Sequence, residues 1–322
     1  MKIVIPDDYQ NAISHLDCFG KLADHDITIY NDTVTDVDTL AERFHEANAL
    51  VLIRERTAIT DELLDRLPNL KLISQTGRGI PHIDVEACTR HGVVISSGGG
   101  SPNSTAELTW ALVMSAMRRL PQETAALKAG KWQTTFGLGL KGHTLGIFGY
   151  GRIGSVVAGY GRAFGMNVLV WGREGSLKRA SAGGFQTAIS KGDLFEQSDV
   201  LCLHLKLTDE TRGIVTATDL ASMKPTAVLV NTCRAEVIEH GALVNALKAG
   251  RPGTAAVDVY ETEPTTDDPL IALDNAICTP HIGYVEKDSY ELFFTSAFDL
   301  VLAYAAGHPT NVVNPEALAI QP

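Results

Sequence analysis

Short runs of aliphatic and β-branched residues alternate along the chain with longer stretches of helical period, the pattern of parallel strands joined by crossover helices. In the first third the predicted strands are residues 3–5, 49–53, 71–75 and 93–96, and a helix is expected over 61–66 behind Thr60 as its cap. A glycine-rich break, Gly98-Gly99-Gly100-Ser101-Pro102-Asn103, precedes a helix predicted from about 105 to 119, and a loose stretch with four glycines runs from 128 to 142. A second series of about six strands follows at 145–148, 167–171, 200–204, 227–231, 254–259 and 276–279. After Tyr284 the pattern is helical to about Ala306 and then polar, with Pro309 and Pro315. Two α/β units are expected.

Composition narrows the class. With 322 residues, 45% hydrophobic and 20% charged, the chain can build two ordinary cores. A formal net charge of -11 argues against nucleic acid or an anionic membrane as partner, while leaving room for a small anionic substrate held by local cations. Five scattered cysteines without a CxxC pair predict neither disulfides nor a metal site. The start Met1-Lys2-Ile3-Val4-Ile5-Pro6 reads as a strand, and no apolar run approaches the ~20 residues of a membrane helix, so a cytoplasmic location is expected.

Gly149-Tyr150-Gly151-Arg152-Ile153-Gly154 is a GxGxxG between an apolar strand and a predicted helix, 155–164. The first glycine permits the tight turn, the second lets a pyrophosphate approach the backbone, and the third lets helix and strand pack closely. The free N–H groups of the helix start then face the phosphates. Where such domains usually carry an acid for the ribose hydroxyls, 23 positions after the first glycine, this chain has Gly172, followed by Arg173 and Glu174. Without that acid a 2′-phosphate is not repelled, and an Arg–phosphate contact is typically worth ~1.5–3 kcal/mol. The expected cofactor is NAD(P), with NADP(H) favoured over NAD(H).

Three further segments follow apolar strands: Asn231-Thr232-Cys233-Arg234, Asp258-Val259-Tyr260-Glu261-Thr262-Glu263-Pro264, and Thr279-Pro280-His281-Ile282-Gly283. Residues past strand C-termini of an open parallel sheet gather where the cofactor binds, so an arginine, a carboxylate and a histidine are expected together. Arginine offers a planar fork for a carboxylate, and histidine exchanges a proton near neutral pH.

With Gly77-Arg78-Gly79, Ile83-Asp84, Thr105-Ala106-Glu107, His204 before Leu207-Thr208 and Thr211, and the ending Asn311-Val312-Val313-Asn314-Pro315, these segments make the chain resemble the D-2-hydroxyacid dehydrogenase family over nearly its whole length. The resemblance implies a hydride exchange between a nicotinamide cofactor and a D-2-hydroxy acid or 2-keto acid, with Arg234 on the substrate carboxylate, His281 moving the proton and Glu263 paired with it. It implies a flavodoxin-like substrate domain, residues 1–100 and 286–322, and a dinucleotide-binding domain, 101–285, both Rossmann-like α/β units with parallel sheets. It also implies a homodimer joined through the cofactor domain. Cofactor contacts are expected from Thr105, Gly149, Gly151, Arg152, Ile153, Gly154, Gly172, Arg173, His204, Thr211, Thr232, Cys233, Asp258 and Gly283. Substrate contacts are expected from Arg78 and Gly79, and from Arg54 and Arg56 if these hold a second anionic group.

Lys206, Ala235 and Tyr284 depart from the family pattern of proline, glycine and glycine, and Tyr284 is expected to narrow the pocket. Two other readings share the same residues. One is a dinucleotide-sensing corepressor without enzymatic activity, against which stands an end soon after Pro315. The other is a formate or phosphite dehydrogenase; formate enzymes carry Gln where Glu263 stands, whereas phosphite enzymes keep all three groups.

Overall fold

The computed structural model describes residues 1–320. The chain divides into two compact units, one built from Met1–Ser101 and the chain from Val285 onward, the other from Pro102–Tyr284. The first unit runs β1 (Lys2–Ile5), β2 (Asp26–Ile29), α1 (Val37–Phe44), β3 (Ala49–Leu52), α2 (Asp61–Leu64), β4 (Leu72–Gln75), α3 (Val85–Arg90) and β5 (Val94–Ser97). Its strands are all parallel in the order β2-β1-β3-β4-β5, the flavodoxin-like order with its switch point between β1 and β3. Side chains alternate across the sheet: Leu50, Leu52, Ile73 and Ile95 join Leu40, Phe44 and Leu63 in one core, whereas Ser74 points the other way and donates its hydroxyl to the carbonyl of Ala297 at 2.8 Å. Strands covered on both faces read as continuous apolar runs, which is why β3 and β4 were expected. The edge strand β2, half-buried at alternate positions, was not.

The second unit comprises α4 (Asn103–Met117), α5 (Leu120–Lys128), β6 (Thr144–Phe148), α6 (Arg152–Ala163), β7 (Asn167–Trp171), α7 (Glu174–Ala182), β8 (Gln186–Thr187), α8 (Lys191–Gln197), β9 (Val200–Leu203), α9 (Ala217–Ser222), β10 (Val228–Asn231), α10 (Ala242–Lys248), β11 (Thr254–Val257) and β12 (Ala276–Cys278). Its seven strands are parallel in the order β12-β11-β10-β9-β6-β7-β8. Progression reverses between β6 and β9, the switch point at which such sheets bind dinucleotides. The two-residue β8 makes seven strands rather than about six. Apolar side chains fill both faces: Val113, Ile147, Val157 and Val230 on one, Phe195, Leu201, Leu229 and Leu243 on the other. Each such burial is worth ~1.5–3 kcal/mol before entropy is counted.

The helix expected over 105–119 is α4, and a second helix, α5, follows it. α4 starts at Asn103 and stops at Met117, and Arg119 adopts φ 51° before α5 begins. α5 lies between that helix and the loose stretch expected from 128, where no element was expected; none of its residues is buried, so it has no apolar stripe to be recognised by. The last helix, α11 (Lys287–Ala305), returns to the first unit. Beyond it Asn314 fastens the chain to β5, accepting from Ile95 N–H at 2.8 Å and donating to Val93 C=O at 2.9 Å.

Candidate active site

β6 ends at Phe148 and the six residues of the glycine motif carry the chain into α6. Each glycine is there for a different reason. Gly149 has φ +99°, and a Cβ on it would lie 2.4 Å from the carbonyl oxygen of His204. A Cβ on Gly154 would lie 2.2 Å from the carbonyl oxygen of Gly149. At Gly151 a Cβ would meet nothing within 4 Å, so the protein's own packing does not demand a glycine there. No side chain caps the start of α6, and an uncapped helix start suits a phosphate. Arg152 is exposed in that first turn and Ile153 packs on the core. The turn therefore fits a pyrophosphate.

After β7, a side chain at Gly172 would make ordinary contacts at 3.4 Å with Ser176 and 3.6 Å with Gly149. The Arg173 side chain is 73% exposed, with Nη2 3.8 Å from Oε2 of Glu210. Glu174 is paired with Lys178 at 2.6 Å, and Arg179 donates to the Tyr150 carbonyl at 3.0 Å. His204 follows β9; its Nε2 is sealed from solvent with no hydrogen-bond partner among the described residues. Burial pushes this imidazole down to about 4, so it is neutral at physiological pH. The Thr211 hydroxyl, expected on the cofactor, is committed to its own turn, donating to Lys206 C=O at 2.6 Å and accepting from Thr208 N–H at 2.8 Å.

The ends of β10, β11 and β12 carry the proposed chemistry. Nδ1 of His281 lies 2.5 Å from Oε2 of Glu263. A carboxylate only accepts, so Nδ1 carries the proton and Nε2 is left for chemistry. Glu263 is itself oriented, its Oε1 accepting from Tyr260 N–H at 2.9 Å. His281 sits at φ 52°, a left-handed conformation that costs a non-glycine residue of order 1 kcal/mol.

Its neighbours hold it there. Asp258, 1% exposed, accepts from the Thr279 hydroxyl at 2.6 Å and from the N–H groups of Ile282 and Gly283 at 2.8 Å each. Burial pushes the Asp258 carboxyl up, and these donors oppose that shift. Ser104 and Thr105, in the first turn of α4, both donate to the Gly283 carbonyl at 2.9 Å. Thr105, Asp258 and Gly283, all expected on the cofactor, are thus bound to one another around the histidine. Tyr284 presents its ring to that of His281 nearly perpendicularly, centroids 6.1 Å apart.

Arg234 follows β10, and its Nη1 donates to the Cys233 carbonyl at 2.6 Å. The Thr232 hydroxyl lies 2.7 Å from that of Thr109 on α4. Burial pushes the Cys233 thiol up, making it a weak donor rather than a nucleophile. Sequence reasoning missed Ser104, Asn231 and Tyr260, which position this set. Each is one polar residue at the edge of an element, and no spacing rule marks it.

In the first unit Gly77 has φ +83°, and a Cβ on it would lie 2.1 Å from Nη1 of Arg54. Arg54 therefore packs on the 77–79 turn, its guanidinium 5.3 Å from the Phe293 ring centroid. Arg56 instead stacks over Tyr9 at 4.8 Å, so the two arginines serve different neighbours. Arg78 is exposed at the tip of the turn, and Gly79 is held close to Glu55. His82 is half-buried, with both ring nitrogens sealed from solvent.

A parallel α/β sheet with a phosphate-fitting turn at its switch point, and an oriented histidine–carboxylate pair at neighbouring strand ends, defines a dinucleotide-dependent oxidoreductase. Residues 110–283 match the family model for the NAD binding domain of D-isomer specific 2-hydroxyacid dehydrogenases. A glyoxylate reductase from Aeropyrum pernix is 37% identical over 297 residues, 88% of this chain and 88% of the relative. A D-3-phosphoglycerate dehydrogenase from Methanocaldococcus jannaschii is 37% identical over 86% of this chain, which spans only 53% of that longer protein. Among solved structures, a phosphoglycerate oxidoreductase from Vibrio cholerae has TM-score 0.93 and 51% identity, covering 95% of this chain and 99% of its own. The chain belongs to the D-2-hydroxyacid dehydrogenase family and is thereby a dehydrogenase that uses a nicotinamide dinucleotide. No helix among the described residues is long and apolar enough to cross a membrane.

Proposed function

We propose that the protein interconverts a small D-2-hydroxy acid and its 2-keto acid through a His281–Glu263 proton relay and an Arg234 carboxylate clamp. The observation that carries this reading is the short His281–Glu263 contact of 2.5 Å, with Nε2 left for the substrate oxygen. When bound, the nicotinamide dinucleotide supplies or takes the hydride. Gly149, Gly151 and Gly154 would hold its pyrophosphate, with Arg152, Ile153, Gly172, Arg173, His204, Thr232 and Cys233 around it. In the reducing direction protonated His281 gives its Nε2 proton to the oxygen that becomes the hydroxyl; in the oxidising direction neutral His281 removes it. Glu263 keeps the ring in one tautomer and offsets the charge of the imidazolium. Arg234 fixes the carboxylate and with it the carbonyl carbon.

The cofactor preferred in this reading is NADP(H). Gly172 brings no carboxylate, Arg173 is solvent-accessible, and Lys178 offsets the charge of Glu174. The Arg173–Glu210 pair is exposed and long, and such pairs contribute little.

Reduction of a panel of 2-keto acids, glyoxylate and the keto acid of 3-phosphoglycerate among them, is measured with NADPH and with NADH. One of these acids is turned over, and His281→Ala lowers kcat by ~10²–10⁴ with dinucleotide affinity preserved. Wild type prefers NADPH, and Arg173→Ala erodes that preference. No turnover of any keto acid, or full activity in His281→Ala, overturns the reaction; a preference for NADH overturns the cofactor choice alone.

A further inference from the structure

We propose that Asn231 is a positioning residue for Arg234, fixing the backbone from which the guanidinium reaches the substrate carboxylate; this rests on the carboxylate-clamp reading of Arg234. Asn231 closes β10 and is 1% exposed. Its Oδ1 accepts from the Cys233 N–H and from the Cys233 thiol, each at 3.1 Å, and its Nδ2 donates to the Arg234 carbonyl at 2.9 Å. Chemistry fixes the amide's orientation: the backbone N–H only donates and the carbonyl only accepts, so a flipped amide would lose both bonds.

One side chain thus holds the peptide units on either side of the Cys233–Arg234 bond. The carbonyl of the peptide between them, that of Cys233, is the one to which Arg234 Nη1 donates at 2.6 Å. Asn231 is itself anchored in the sheet, paired in register with Leu203 of β9 and Val257 of β11, and its carbonyl accepts from Asp258 N–H at 3.0 Å. The amide therefore transmits the sheet's rigidity to an arginine that has already left the strand. A bidentate fork recognises a carboxylate only in the right plane, and a displacement of about 1 Å can cost ~10²-fold in rate.

The test is a double-mutant comparison in keto-acid reduction, with Asn231→Ala and Asn231→Asp each made in wild type and in Arg234→Lys. In wild type, Asn231→Ala raises the keto-acid KM and lowers kcat/KM by about ten- to hundredfold, while dinucleotide affinity, read by quenching of protein fluorescence, changes by less than about twofold. In Arg234→Lys, which has already lost the fork, the same change costs less than about threefold more. Should Asn231→Ala not fold, Asn231→Asp carries the same comparison, since it keeps the shape and the Cys233 acceptor but sets an oxygen against the Arg234 carbonyl. Equal losses in both backgrounds, or a loss shared by dinucleotide affinity, overturn the inference while leaving Arg234 in its role. An Arg234→Lys enzyme with full kcat/KM overturns the clamp, and the inference with it.

Discussion

At the scale of single residues, two histidines outside the proton relay contribute to how stability depends on pH. His82 and His204 are both lowered from 6.5 to about 4 by burial. The unfolded chain takes up protons at these positions as pH falls below about 6.5, whereas the folded chain holds them neutral until about 4. Their contribution is complete above pH 6.5 and is lost as pH falls from 6.5 towards 4. At pH 5 the loss is on the order of 2 kcal/mol for each histidine, relative to pH 7.5. Urea unfolding of the dinucleotide-free protein at the two pH values measures it. Replacing His82 or His204 by Asn should flatten the pH dependence by about that amount; an unaltered dependence in both variants would show that neither ring is kept neutral by its surroundings. The neutral state also suits His204 for hydrogen bonding to a cofactor, because a charged ring has no acceptor nitrogen.

At the scale of elements, the β6–α6 turn separates what folding needs from what binding needs. Alanine at Gly149 meets both a positive φ and a backbone oxygen, and alanine at Gly154 meets a backbone oxygen that has nowhere to go. Each should destabilise by about 1–3 kcal/mol or more. Alanine at Gly151 enters open space, so the melting temperature should hardly move while dinucleotide Kd rises by about tenfold or more. Thermal melts beside dinucleotide titrations distinguish the three, and a Gly151→Ala protein that binds normally would remove the pyrophosphate from this turn. The turn was legible in the sequence because its residue types are dictated by backbone geometry, and β6, β7, β9, β10 and β11 were legible because buried parallel strands are unbroken apolar runs. β2, β8 and α5 were not: two are edge strands with mixed faces, and the helix buries nothing. Within the site, Arg234, Glu263 and His281 stand in recognisable phrases. Asn231 and Ser104 act through hydrogen bonds to loops 3 and 179 residues away, and no local pattern announces them. Arg54 and Arg56 look alike in sequence, yet one stacks on Phe293 and the other on Tyr9, a distinction made by the fold alone.

At the scale of the whole molecule, α5 and the segment that follows it leave a set of large apolar side chains uncovered. Trp132 is 77% and Phe136 98% exposed, and Leu120, Leu127 and Leu138 are exposed as well. The segment is nonetheless held in place. The Glu123 carboxylate accepts from the Thr134 N–H at 3.1 Å, the Thr134 hydroxyl at 2.9 Å and the Thr135 hydroxyl at 2.6 Å, and Leu138 N–H donates to the Met117 carbonyl at 2.7 Å. A fixed surface rich in exposed aromatic and aliphatic groups is what a protein interface requires, and isolated monomers rarely tolerate one. The homodimer that the family resemblance leads one to expect would bury it, a two-fold axis letting one patch cover its own equivalent. Light scattering behind size-exclusion chromatography should give the mass of two chains at micromolar concentration. Trp132→Glu with Phe136→Glu should shift that mass to one chain by placing unpaired charges in the buried patch. Both side chains are mostly exposed, so the substitutions should disturb little within the chain and the monomeric variant should still bind dinucleotide. A wild-type protein that runs as a monomer would leave these aromatics without a partner of this kind, and a double variant that stays dimeric would place the contact elsewhere.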